Sequence, residues 1–251
     1  MSLSLEIEGV HRAFGRTAVL RGVTLEIRAG ERVALIGPNG AGKSTLFDLI
    51  SGRQAPQAGR IRLGGQRIDG LPPHQVHRRG LARSFQSSQL FARLSVTEHL
   101  RCAMQHLPRP AQDARIEELL ARLQLTHCRG RPARALTHAE QRALEIGLTV
   151  AGDAQVLLLD EPTAGMSRSE TARFIPLIRD LSRHRTLLVV EHDLSVVFGL
   201  AERIAVLVQG EVIAFDTPER VRADPRVQAA YLGALQPDAM SDEDRGDAGH
   251  R

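Results

Sequence analysis

Residues 37–45 read Gly37-Pro38-Asn39-Gly40-Ala41-Gly42-Lys43-Ser44-Thr45. The spacing G-x-x-x-x-G-K-S constrains the surrounding chain more than any other feature. Its glycines let the backbone turn tightly enough to aim successive N–H groups inward. Such a nest at the start of a helix holds a phosphate through its amides and the helix dipole. The flanks supply the required elements. Arg32-Val33-Ala34-Leu35-Ile36 leads in as a buried strand, and Ser44-Thr45-Leu46-Phe47-Asp48-Leu49-Ile50 leads out with a helical pattern. Lys43 is the only lysine among 33 lysine and arginine residues. A compact ammonium fits beneath a tightly wrapped phosphate, whereas a guanidinium is a planar fork. A chance glycine-rich turn would require neither Lys43, Ser44 nor the strand–helix context.

At 251 residues the chain can bury a sizeable core. With 42% hydrophobic and 25% charged residues it has the composition of an ordinary globular protein. No apolar run approaches the roughly 18–20 residues that cross a bilayer. The N-terminal stretch alternates apolar and polar residues like a strand and lacks the basic start of a signal peptide. Cys102 and Cys128 have no C-x-x-C spacing, which predicts reduced thiols in a cytosolic setting. The net charge is +4, and arginines cluster at Arg78, Arg79 and Arg83 and at Arg129, Arg131 and Arg134. With no tryptophan and one tyrosine, aromatic residues do not interleave with them. They read as a solvated face, or one near anionic lipid headgroups, and no nucleic-acid partner is expected.

Strand patterns fall at residues 3–10, Val23–Arg28, Arg32–Ile36, Ile61–Leu63 and Leu81–Gln86, with a Pro-started helix at 72–80. Residues 96–150 are helical in pattern, as Val96–His106, Ala111–Gln124 and a third helix from His138 or Ala139. Pro108 and Pro110 break the first pair, and Gly130 with Pro132 the second. Apolar strands return at Val156–Leu159, Leu187–Val190 and Ile204–Leu207, the last turning at Gln209-Gly210 into Val212–Phe215. Buried strands alternating with helices imply an α/β fold with a parallel sheet under helical cover. Pro176 lies inside the helical stretch 168–184, where it should kink or break the helix. Residues 236–251 lose periodicity and gain acidic residues, which predicts a disordered acidic tail.

A phosphate loop needs an acidic strand beside it, and Val156-Leu157-Leu158-Leu159-Asp160-Glu161 supplies one. The apolar residues bury the strand, and Asp160 emerges at its carboxyl end, where such sheets bind ligands. Asp160 would hold Mg²⁺ through a water while the Ser44 hydroxyl binds it directly. Glu161 can orient and activate a water in line with the leaving ADP. His74 and His77, and His127 beside Cys128, have no further ligand at metal spacing and read as structural or solvated.

These residues, in this order, resemble the nucleotide-binding subunit of ATP-binding-cassette transporters over residues 1 to about 235. Phe14, in Arg12-Ala13-Phe14-Gly15, is similar to the aromatic residue that stacks on adenine. Gln86, in Arg83-Ser84-Phe85-Gln86, resembles the glutamine that senses Mg²⁺ and the attacking water and couples to the permease. Leu136-Thr137-His138-Ala139-Glu140-Gln141-Arg142 resembles the signature motif that opens a helix. Asp160 and Glu161 resemble the metal-binding acid and the catalytic base. Ala164-Gly165-Met166-Ser167 resembles the dimer-contacting loop, and His192, in Val190-Glu191-His192-Asp193, the switch histidine at the γ-phosphate.

The resemblance implies a P-loop NTPase (RecA-like) core over 1–90 and 150–235, with an antiparallel β subdomain and a helical subdomain inserted at 91–149. It implies binding of ATP and Mg²⁺ by residues 37–45 and Phe14, with Thr137, Ala139 and Glu140 closing over the γ-phosphate of a second cassette. The same resemblance implies an ATPase docked on integral membrane permease subunits at the inner face of the inner membrane.

Two positions depart from the pattern. Alanine stands at 139 where the family usually carries glycine, and Thr137 where relatives often carry serine. The stretches Ala82–Gln86 with Leu90-Phe91, Val96–Leu100 and Ala223–Gly233 are similar to the branched-chain amino-acid uptake subfamily, which includes urea and amide importers and works with a periplasmic binding protein. Lipid export, a cassette acting on nucleic acid or the ribosome, and a small-molecule kinase are the alternatives left open.

Overall fold

A computed structural model describes residues 2–84 and 90–233, with the side chains of 231–233 left aside. Gln86 and the tail 236–251 lie outside the described residues. The chain opens with a hairpin of β1 (Leu5–Phe14) and β2 (Thr17–Ile27), then β3 (Arg32–Ile36), α1 (Lys43–Ile50), β4 (Ala58–Leu63) and β5 (Gln66–Arg67). Next come α2 (Pro73–Arg78), β6 (Leu81–Arg83), α3 (Val96–Ala103), α4 (Arg109–Arg122) and α5 (His138–Ala151). The second half alternates β7 (Val156–Asp160), α6 (Arg168–Leu181), β8 (Thr186–Val190), α7 (Leu194–Leu200) and β9 (Arg203–Val208). It closes with β10 (Glu211–Asp216), α8 (Pro218–Ala223) and α9 (Pro225–Gly233).

Two sheets form. One is antiparallel, in the order β2-β1-β4-β5, and the other runs β10-β9-β3-β8-β7-β6. All neighbours in the second sheet are parallel except the β10–β9 edge pair. Strand periodicity sends alternate residues of this sheet into two separate cores. Val33 and Leu35 face Leu46, Phe47, Leu49 and Ile50 of α1 and the apolar side of the antiparallel sheet. Ala34 and Ile36 face the opposite core, which is continuous with Leu100, Ile116, Leu119 and Leu144 of α3, α4 and α5. Helix α1 is therefore held on the side of the sheet that carries the first hairpin. Among the described residues no helix is long and apolar enough to cross a membrane.

Three local expectations change. The β1–β2 hairpin extends to Phe14 and Thr17, well beyond the apolar alternation, because cross-strand pairing continues through His11, Arg12 and Arg21. Pro110 does not break a helix. It lies in the first turn of α4, where a missing N–H costs no intrahelical bond. Pro176 leaves α6 continuous from Arg168 to Leu181. The bond it forfeits belongs to the carbonyl of Ala172, and both residues lie on the exposed face of the helix, where losing that bond buries no polar group.

Candidate functional site

The loop after β3 is shaped by what cannot fit beside it. A Cβ on Gly37 would stand 2.0 Å from the carbonyl oxygen of Leu207, so no larger residue lets β3 pass β9 into this turn. Gly42 caps α1 in the left-handed region at φ 106°, and a Cβ there would stand 2.7 Å from Leu20 Cδ2. Gly42 has no side chain to accept the first amides of α1. The helical ladder begins with the Leu46 amide donating to Gly42 O (2.9 Å), so Lys43, Ser44 and Thr45 have no intrahelical acceptor. Ala41 is buried and locked, its amide donating to Pro38 O (3.2 Å) and its carbonyl accepting from Gly210 (3.1 Å), while Asn39 and Gly40 form an exposed rim. Lys43 folds back over this nest and donates to Gly37 O (2.6 Å) and Pro38 O (3.0 Å). Burial lowers the pKa of its ammonium, and the nearby carboxylates of Glu161 and Asp160 oppose that shift. A cradle closed to side chains, lined by Lys43 and by amides with no partner among the described residues, fits an anionic phosphate chain.

Strand order brings the acidic residues to the same edge. β8 lies between β3 and β7, so the carboxyl ends of the three strands carry residues 37–45, His192, and Asp160 with Glu161 side by side. Asp160 is buried, and its carboxylate accepts from Arg83 Nη2 (3.2 Å). Arg83 also donates to Asp48 Oδ1 of α1 (2.6 Å) and to Ser51 Oγ (3.1 Å), with its guanidinium 5.5 Å from the centre of the Phe47 ring. Desolvation pushes the Asp160 pKa up, and Arg83 opposes that. The Ser44 hydroxyl at the helix start and the Asp160 carboxylate are both hard oxygen donors of the kind Mg²⁺ takes.

Glu161 adopts a left-handed backbone at φ 45°, a conformation that costs a non-glycine residue about 1–2 kcal/mol. Its amide donates to Val190 O (2.9 Å), which continues the β7–β8 ladder by one bond. Its Oε1 lies 3.9 Å from His192 Nδ1, and the His192 side chain is 70% exposed. A carboxylate and an imidazole thus stand together at the mouth of the loop.

The remaining predicted residues lie further out. Phe14 ends β1 and is 45% exposed, with the Arg12 guanidinium over its ring 4.9 Å from the centre. Thr137 caps α5, its hydroxyl accepting from the Glu140 amide (3.3 Å) while Glu140 Oε2 accepts from the Thr137 amide (2.7 Å). The other Glu140 oxygen is 2.8 Å from His127 Nε2. The carboxylate expected at a nucleotide is therefore engaged in its own helix cap. Ala139, in the first turn, keeps an amide with no intrahelical acceptor.

The expectation that His127 and Cys128 have no third ligand nearby also changes. Their ligand atoms and a Glu140 oxygen lie within 4.8 Å of one another. Both Glu140 oxygens already have partners, Arg131 Nη1 stands 3.8 Å from Oε1, and the buried thiol donates to Leu125 O, so the group pins the cap. Sequence reasoning missed Arg83 as a site residue by reading it as part of a basic surface, and it missed Thr163 and Glu191. For Arg83 the available signal was its place in an apolar strand beside the acidic one.

A glycine-built phosphate nest, a lysine over it and two carboxylates with a histidine at the same sheet edge define a P-loop nucleotide-binding protein. Residues 20–164 match the ABC transporter family, and residues 211–234 match the branched-chain amino acid ATP-binding cassette transporter family. The chain belongs to the ABC transporter family, as one of its ATP-binding subunits. It is 38% identical to the high-affinity branched-chain amino acid transport ATP-binding protein LivG of Salmonella typhimurium, over 91% of this chain and 97% of that one. The corresponding protein BraF of Pseudomonas aeruginosa is 37% identical over 91% and 97%. Among solved structures, the ADP conformation of an ATP-binding cassette matches with a TM-score of 0.82 and 26% identity, covering 93% of this chain and 100% of that one. A nucleotide-free cassette matches with a TM-score of 0.81 and 25% identity, over 92% and 99%.

Proposed function

We propose that this subunit hydrolyses ATP to energise uptake of branched-chain amino acids through a membrane permease. The observation that carries the hydrolytic part is the convergence of Lys43, Asp160, Glu161 and His192 on one sheet edge around the amide nest. The amides of Lys43, Ser44 and Thr45 and the Lys43 ammonium bind the triphosphate within the loop 37–45, and Phe14 serves adenine. Ser44 and Asp160, with Gln86, would hold Mg²⁺, which would neutralise charge on the phosphate oxygens. Glu161 accepts a hydrogen bond from water, orients it toward the terminal phosphate and takes up its proton. His192 donates to an oxygen of that phosphate, a reading supported by its position beside Glu161, and so distinguishes the triphosphate from the diphosphate.

The amides at Thr137 and Ala139 serve the phosphate of a second cassette, identical or homologous. ATP then sits between two cassettes, and its hydrolysis removes the contacts that hold them together. The helical stretch 91–149 faces the permease, which places the subunit at the inner membrane surface and makes a periplasmic binding protein an indirect partner. The identity to LivG and BraF and the match at 211–234 support the substrate class.

The test is the full chain with its permease in proteoliposomes. Glu161→Gln should keep ATP binding and lose at least roughly a hundredfold in turnover, the usual scale of a positioned base. Transport should follow leucine, isoleucine or valine. Intact turnover in Glu161→Gln overturns the catalytic assignment. Stimulation by urea or a lipid in place of these amino acids overturns the substrate class.

A further inference from the structure

The mechanism above leaves unused the most deeply buried carboxylate among the described residues. Glu191 is 1% exposed and lies between the last residue of β8 and His192. Its Oε1 accepts from both the amide (3.1 Å) and the hydroxyl (2.7 Å) of Thr163, which is itself 6% exposed. Its Oε2 accepts from the amide of His192 (3.3 Å). Three donors converge on one carboxylate that has almost no contact with solvent.

What these donors belong to gives the arrangement a purpose. Thr163 stands two residues after Glu161, whose left-handed backbone must be held from both sides to persist. On the β7 side the hold is the ladder bond from the Glu161 amide to Val190 O; beyond Pro162 it is the Thr163–Glu191 pair. The same residue starts the loop 164–167. The Met166 amide donates to Thr163 O (3.1 Å), the Ala164 amide to Glu161 O (3.1 Å), and Ser167 then caps α6. Across the loop, a Cβ on Gly165 would stand 3.2 Å from His138 Cε1 in the first turn of α5. The loop is thus tied at one end to the residue before His192 and rests at its middle on the start of α5.

We propose that Glu191 is a positioning residue whose carboxylate latches Thr163 to the His192 backbone, so that the base Glu161, His192 and the loop 164–167 move as one unit. This rests on the roles given above to Glu161 and His192. A shift of His192 on loss of the terminal phosphate then reaches a loop that sits against α5, without any side chain of that loop touching nucleotide. Three accepting bonds need the carboxylate form. An amide at position 191 keeps the Thr163 bonds on its oxygen but faces the His192 N–H with a second donor.

Steady-state hydrolysis of ATP by the purified full chain tests this, with Glu161→Gln and His192→Ala alongside. Thr163→Val, which removes only the hydroxyl donor, should lower kcat about tenfold and leave KM for ATP within about twofold, since misplacing a catalytic group costs turnover more than binding. Thr163→Ser should recover to within about twofold of the parent, Glu191→Gln should match Thr163→Val, and the double variant should be no worse than either, because each opens the same latch at a different one of its bonds. Parent-like kcat in Thr163→Val, additive losses in the double variant, or no rescue by serine overturns the latch while leaving the assigned base in place. Intact turnover in both Glu161→Gln and His192→Ala overturns the latch together with the site. Hydrogen exchange gives a measure that needs no substitution at 163 or 191. In the Glu161→Gln chain, ATP should change protection of the Thr163 and His192 amides together, and a change at His192 alone overturns the proposal.

Discussion

The N-termini of α1 and α5 both present backbone amides at an exposed edge, yet they are finished differently. α1 starts at Gly42, whose left-handed backbone supplies no side-chain acceptor, so the amides of its first turn have no partner within the helix. α5 starts at Thr137 and closes a full capping box with Glu140, which His127 holds from outside. In the proposed reading α1 is completed by its nucleotide, whereas α5 holds its cap without one and keeps the Ala139 amide for the phosphate of a second cassette. Their surroundings differ in the same sense. α1 is tied to the sheet through a buried arginine between two carboxylates, whereas α5 relies on a cap at the surface.

The contrast is most exposed to challenge at Arg83. Arg83→Met leaves Asp160 buried without its cation, and removing one partner of a buried pair costs about 3–5 kcal/mol. Urea unfolding of the variant should show a loss of that size, and a loss below about 1 kcal/mol would mean that solvent already screens the pair. At the bare cap, Gly42→Ala forces a side chain into the left-handed region and against Leu20. Calorimetry should find nucleotide binding weakened about a hundredfold, from strain of about 1–2 kcal/mol plus displacement of the loop. At the finished cap, Thr137→Val removes the acceptor of the Glu140 amide and should lower stability by about 1 kcal/mol with nucleotide binding to the isolated chain unchanged. Weakened binding there would break the division between the two ends. The smallest effect sharpens it. In the proposed reading Ala139→Gly removes a methyl where the phosphate of a second cassette approaches; a methylene is worth about 1–3 kcal/mol in a closed pocket, and at this half-buried position turnover of the assembled complex should rise by a smaller factor, about twofold. An unchanged or lower rate would show that the methyl does not limit approach.

Much of the site was legible because its physics is local. Gly37, Gly42 and Lys43 serve a turn whose requirements are met within nine consecutive residues. Asp160 and Glu161 announce themselves by ending an apolar strand, and alternation of apolar strands with helices implied the parallel sheet found here. Local patterns misled where a tertiary neighbour made the decision. The β1–β2 hairpin outran its apolar alternation, and Pro176 was tolerated because its lost bond faces water.

What the amino-acid order determined unaided was the phosphate nest, the acidic strand and the cap of α5, since each rests on contacts between residues a few positions apart. Only the folded chain could decide that Arg83 joins Asp48 to Asp160, that Glu191 grips Thr163, and that His192 comes within 3.9 Å of Glu161. Those pairs are 28 to 77 residues apart in sequence, and they meet because β3, β8, β7 and β6 lie side by side in the sheet. Strand order arises from the burial of whole faces against two cores, a property of the assembled sheet that no short stretch of sequence carries.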